Sequence, residues 1–215
     1  MAILEQGLIG TFTGKMGAIV VAKWKDRYVG KSKPRKSSKP ASKTQMIQRA
    51  KFSLIGKFIA ELADTIAIGF KDTRGTTSMN EAMRHNLTHA ISGIYPDYKV
   101  NYSKISLSNP NGRGKINHAI DPVLVPGAVN RLKFSWKLEE EPLPNTKPTD
   151  IIYLVLYHPL NHIYVTKEMV RSSLTAEIRL SRSFLGELHA WIFVASDDKL
   201  FATGTEYLGT IVLTA

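Results

Sequence analysis

The chain of 215 residues contains no cysteine. This excludes disulfides, thiolate nucleophiles and cysteine-type zinc sites, and leaves packing as the source of stability. No stretch approaches the roughly 18 uninterrupted apolar residues of a membrane span. The N-terminal MAILEQGLIGTFTGKMGAIVV has no basic segment followed by an apolar one, so we expect a soluble protein made in the cytoplasm without a Sec-type signal. Local signatures of catalysis are missing too. In GTFTGKMG, three residues rather than four separate Gly10 from Gly14, and Met16 stands where a phosphate loop needs a hydroxyl after Lys15. Neither a G-x-S-x-G elbow nor an S-x-x-K serine motif with its partner motifs occurs. We expect no enzyme and no cofactor.

Acidic residues are scarce: 18 stand against 29 lysines and arginines, for a net charge of +11. The excess is concentrated. Residues 1–52 hold Lys15, Lys23, Lys25, Arg27, Lys31, Lys33, Arg35, Lys36, Lys39, Lys43, Arg49 and Lys51 against Glu5 and Asp26, which is ten of the eleven net charges. Such a block is the footprint of a segment that faces a polyanion or an acidic partner. Of the twelve, Lys23 to Lys51 are the candidate binding residues. Trp24 and Tyr28 lie just before the densest run, and no aromatic interrupts it, so any nucleic acid would be bound without sequence preference.

What remains is patterned. Hydrophobic residues make up 43% of the chain, enough for a real core. Residues 1–30 combine glycines with short β-branched and aromatic runs and read as a glycine-rich β-meander. Its apolar content is thin, so it needs a neighbouring surface or another subunit. Gly7, Gly10, Phe12, Gly14, Gly17, Val20, Trp24 and Tyr28 are its candidate assembly residues. Residues 31–43, KSKPRKSSKPASK, are an extended basic linker in which two prolines prevent helix. Residues 44–116 read as a helical segment plus a strand. Apolar residues from Met46 to Ile66 recur at helical spacing and predict one helix of about 23 residues, introduced by a capping box at Ser42 and Gln45. A second box, Ser78 and Glu81, opens a shorter helix ending near Ser92, and Tyr98 to Leu107 alternate like a strand.

Residues 117–215 contain seven β-rich segments separated by turn signals, the size and rhythm of an immunoglobulin- or fibronectin type III-like sandwich. Leu132, Phe134 and Trp136 alternate inward on an early strand, with Trp136 the candidate central tryptophan. Trp191, Phe193 and Ala195 or their neighbours do so on a late one. The expected fold is α+β: a β-meander arm and two helices, followed by the sandwich.

His85 and His89 stand at i and i+4 on the second predicted helix, a spacing that lets two imidazoles share a metal. No glutamate follows His85 directly and the other histidines are scattered, so we expect packing or surface residues. Glu139, Glu140 and Glu141 read as a solvated turn.

Taken together, KWKDRYVGKSKPRK, KTQMIQRAKF, GIYPDYKVNYS and TEYLGTIVL resemble an uncharacterised family of about 200-residue proteins found in Bacteroidota, over nearly the full length. That resemblance brings no activity with it. The basic segment with Thr44, Gln48, Arg49 and Phe52 is similar to a basic, T-x-x-Q-x-x-R-x-x-F module of small proteins from phage structural regions. We expect a structural protein that assembles with itself into an oligomer, filament or virion-like particle through exchange of its N-terminal strands. A sequence-tolerant nucleic-acid-binding protein is the alternative, and a surface-recognition module using the sandwich loops is the third reading.

Overall fold

A computed structural model describes residues 2–4, 12–34, 38–71, 75–112 and 115–214. The chain divides into two compact units, residues 1–42 and 43–215.

The first unit is an antiparallel sheet of β1 (Ala2–Leu4), β2 (Gly14–Met16), β3 (Ile19–Trp24) and β4 (Arg27–Ser32), in the order β1-β4-β3-β2. Two residues separate β2 from β3. Gly17 takes a φ of 57° there, which a tight hairpin turn favours and a side chain resists. Lys25 carries the same strain at the β3–β4 reversal, with φ 53°. A bond from Lys33 N to Ala18 O at 2.8 Å extends the pairing past the strand end.

The second unit is mixed α and β. It contains α1 (Lys43–Ala60), α2 (Ala63–Gly69), α3 (Ser78–His89), a short pair β5 (Ile91–Ser92) and β6 (Lys99–Val100), then β7 (Ile120–Pro126), β8 (Arg131–Lys137), β9 (Ile151–His158), β10 (Ile163–Val170), β11 (Thr175–Arg179), β12 (Gly186–Ala195) and β13 (Glu206–Leu213). The last seven strands form a four-stranded sheet, β10-β9-β12-β13, and a three-stranded sheet, β11-β8-β7.

Strand alternation sends side chains of β9 and β12 to two different cores. Ile152, Leu154, Leu156, Ala190, Ile192 and Val194 join Leu132, Phe134 and Trp136 of the three-stranded sheet in one buried cluster. Tyr153, Val155, Tyr157, Trp191, Phe193 and Ala195 join Ile55, Phe58, Ile59, Ile66 and Phe70 of the helical segment in the other. The four-stranded sheet is therefore the middle of three layers, which explains its nearly continuous apolar strands. Of the inward positions expected on the late strand, Trp191, Phe193 and Ala195 face the helices, and their neighbours face the second sheet. Trp136 is buried between the sheets as expected, and its Nε1 donates to Arg171 O at 2.8 Å. The Arg171 guanidinium in turn donates to Asn117 O and His118 O, tying the entry to β7 to the end of β10.

Three local expectations are corrected. The long first helix is two helices, because Leu62 N turns to Ile59 O at 3.1 Å and tightens the chain at residues 61–62. The cap of α3 is Thr77, whose side chain accepts from Asn80 N at 3.2 Å, while Glu81 pairs with Arg84 one turn on. The strand expected from Tyr98 to Leu107 shrinks to β6. Beyond it, Ser106 N bonds to Asn86 Oδ1, and Leu107 N and Ser108 N bond to Thr205 Oγ1 at 2.8 and 2.9 Å. Side chains there replace the ladder.

Among the described residues no helix is long and apolar enough to cross a membrane.

Candidate functional site

The register of the first unit sorts its side chains. Directly paired residues share a face. Lys15 pairs with Val20 and Val20 with Lys31, while Trp24 pairs with Arg27. One face therefore carries Lys15, Lys31, Arg27 and Trp24 around Ala22 and Val29. The opposite face carries Met16, Ile19, Val21 and Tyr28, with Lys23 beside Tyr28.

Among the described residues the face with Lys15, Ala22, Trp24, Arg27 and Lys31 is exposed at those five positions, and the opposite face is exposed at Met16, Ile19 and Lys23 around a buried Val21. Val21, 2% exposed, is the one buried apolar side chain described in this unit. Met16 is 56% exposed, Ile19 48% and Trp24 49%. Lys25 Nζ lies 5.1 Å from the Trp24 ring centroid and Lys23 Nζ 6.0 Å from that of Tyr28, so cations sit over both aromatic faces.

The other expected residues are distributed as follows. Lys33 and Lys39 are exposed on the connecting segment. Lys43, Arg49 and Lys51 lie on α1, which has no acidic residue between Lys43 and Ala60 and leaves Met46 and Phe52 exposed. Lys51 Nζ stands 5.1 Å from the Tyr98 ring. Phe12 is half-buried, Gly14 and Gly17 bound the hairpin arm β2, and Val20 and Tyr28 are paired within the sheet as above. Gly7, Gly10, Arg35 and Lys36 lie outside the described residues. Lys15 joins the basic face although sequence reasoning left it out of the candidate set. Its signal was the spacing from Gly17: a two-residue turn folds Lys15 back against β3.

In the second unit, Phe58, Tyr102, Tyr157, Tyr164, His189 and Trp191 form one aromatic cluster between α1 and the four-stranded sheet. Burial pushes the Tyr157 phenol up to about 12 and raises those of Tyr102 and Tyr164. At neutral pH these phenols are protonated. Tyr164 donates to Phe58 O at 2.7 Å and anchors α1 to β10.

A cavity of about 210 Å³ opens between α3 and the turn at residues 109–111, with His85 and His89 in its wall. Among the described residues no three His, Asp or Glu side chains come together as a metal-ligand group.

No curated protein and no solved structure matches this chain. A family of unknown function, DUF6266, matches residues 11–209, which run from β2 through the helices to the first half of β13. The chain belongs to that family.

Proposed function

We propose that the protein is a non-enzymatic assembly protein whose N-terminal sheet is completed by a second copy of the chain. One observation carries this: a four-stranded sheet bounded by two three-residue edge strands, in which Val21 alone is buried among the described apolar side chains. A sheet needs a packed layer on at least one face, and free edges pair readily with other strands. Met16, Ile19 and Tyr28 supply an apolar face for such a layer, and β1 and β2 supply short edges for strand addition. An interface that repeats head to tail makes rings or filaments. The likeness of the Thr44–Phe52 segment to modules of phage structural regions points the same way.

The order β10-β9-β12-β13 opposite β11-β8-β7 supports reading residues 117–215 as a fibronectin type III-like sandwich. Its outer four-stranded face is covered by helices, so a recognition role would fall to the loops. A second reading has its own support. Lys15, Arg27 and Lys31 around the exposed Trp24 make a basic face with a stacking platform, which suits single-stranded nucleic acid.

Size-exclusion chromatography with light scattering on the full chain, at low and high salt, tests the assembly role. The expected species is an oligomer free of nucleic acid that persists at high salt and is dispersed by Met16→Glu with Ile19→Glu. A monomer at every concentration and salt would overturn it.

A further inference from the structure

The seven C-terminal strands have two ends of different chemistry. At one, Leu180 N donates to Asn130 O at 2.9 Å and Asn161 Nδ2 donates to Ser183 O at 2.7 Å. These bonds gather the β7–β8, β9–β10 and β11–β12 connections. At the other, Lys147 Nζ stands 3.1 Å from Asp197 Oδ1 and Thr149 Oγ1 donates to Asp197 Oδ2 at 2.9 Å, joining the β8–β9 and β12–β13 connections. The two groups lie at opposite ends, because β8 leads from the first to the second and β9 leads back.

The first end presents apolar tips beside basic residues. Leu160 is 84% exposed and Val129 66%. Arg131 pairs there with Glu177. Arg179 and Arg182 are exposed, and Glu187 is the one acid between residues 179 and 187.

The second end is acidic. Glu139, Glu140 and Glu141 follow β8, and Asp197 and Asp198 follow β12. Asp197 is engaged by Lys147. Glu140 and Glu141 are exposed next to Leu138, itself 40% exposed. Leu200 is exposed too, but it shares a small pocket with Lys71 and Lys115, whose charge opposes a basic partner. The Leu138–Glu141 turn is therefore the surface that matches the first end.

Exposed aliphatic tips rimmed by polar groups mark contact surfaces, and charge names the occupant. Anionic lipid would suit the arginines and leave the acidic end without a role, whereas a second copy of this chain brings the complementary surface with it. We propose that the Val129–Leu160 end of one copy docks on the acidic end of another, with Arg179 and Arg182 against Glu140 and Glu141 and the apolar tips against Leu138. The two surfaces differ, so the contact is heterologous and repeats in one direction, as in a ring or filament. It adds a second contact to that of the N-terminal sheet, and rests on the assembly reading in taking the partner to be the same chain.

The lack of cysteine allows a direct test. Leu160→Cys and Leu138→Cys are placed in separate full-length chains, both also carrying Met16→Glu with Ile19→Glu so that the N-terminal sheet does not join them. Under mild oxidation of the mixture, the disulfide between the two chains should form about tenfold faster than either homodimer, the lower range of electrostatic steering, and should slow as salt rises. Arg179→Glu with Arg182→Glu on the Leu160→Cys chain should slow it, and Glu140→Arg with Glu141→Arg on the Leu138→Cys chain should restore it. A mixed disulfide no faster than the homodimers, or a rate that ignores the charge exchange, would overturn the contact. So would docking of the arginine end on phosphatidylglycerol vesicles in place of a second copy. Either failure leaves the N-terminal sheet to its own test by light scattering.

Discussion

The side-chain amide of Asn86 pairs with the backbone of Ser106 as a neighbouring strand would: Nδ2 donates to Ser106 O at 2.8 Å, and Ser106 N donates to Oδ1 at 2.9 Å. A further bond from Nδ2 to Ala82 O at 3.0 Å fixes the amide on α3. Asn86 is fully buried. It satisfies Ser106 within the segment from Ile105 to Ser108, whose Leu107 and Ser108 N–H groups go to Thr205 Oγ1.

Replacing Asn86 by Leu should strand both Ser106 backbone groups away from water. Each buried unsatisfied group costs about 1–3 kcal/mol, so the variant should lose roughly 3 kcal/mol in denaturant unfolding. A loss below about 1 kcal/mol would mean that water or another side chain takes over the pairing.

The same segment sets a steric limit at Gly69. A Cβ there would sit 2.2 Å from Leu107 O and 2.8 Å from Ser108 Cα, both backbone atoms. Gly69→Ala should push α2 off the 107–108 segment and destabilise by about 3 kcal/mol, at the upper end for overpacking. Gly56, in the middle of α1, is the control. Its added Cβ would meet Met83 Cε at 3.9 Å, an ordinary van der Waals distance. Gly56→Ala should stabilise by up to about 1 kcal/mol through helix propensity. Thermal melts of the two variants should therefore move in opposite directions.

What the sequence made legible, and what it hid, follows from these neighbours. The seven C-terminal strands could be read because β-branched and aromatic runs are broken by turn residues. The second layer on β9 and β12 could not be assigned, because IIYLVLYH offers apolar residues to both sides and does not say what covers each. The break between α1 and α2 is silent in the pattern, since Leu62 stays on the buried side of the turn. The loss of the strand after β6 depends on Asn86 and Thr205, remote in sequence from the backbone they satisfy. Of the candidate site, the charge was visible, but the cross-strand register that joins Lys15 to Lys31 and separates them from Lys23 was not.

Acid should weaken the fold through His189. The ring is buried, stacks on Tyr102 at 4.0 Å, neighbours Trp191, and has Nδ1 2.7 Å from the Tyr207 hydroxyl. Burial lowers its pKa from 6.5, with the Glu187 charge opposing. The folded state thus keeps His189 neutral where the unfolded chain takes a proton. Unfolded molecules bind more protons below about pH 6.5, so stability should fall as pH drops through that value and stay flat above it. In His189→Gln the decline between pH 7.5 and 5.5, followed by urea unfolding, should be shallower than in the unaltered protein. Equal declines would assign the acid sensitivity to another group.

Salt separates the two uses of the N-terminal sheet. If its basic face holds a single strand of nucleic acid, removing one phosphate-binding cation should reduce the slope of log affinity against log salt by about 0.7. Lys15→Gln and Lys31→Gln, adjacent across β3 through Val20, should then lower the slope by about one unit or more together. Trp24→Ala should weaken binding by about 1–3 kcal/mol and leave the slope unchanged, because stacking releases no counterions. Lys23→Gln, on the opposite face, is the internal control and should change the slope least. Should all three lysine substitutions act alike, the contribution would be diffuse charge and not this face. Should none act while Met16→Glu with Ile19→Glu disperses an oligomer, the apolar side of the sheet carries the function and Lys15, on the edge strand β2, serves to keep that edge from pairing indiscriminately.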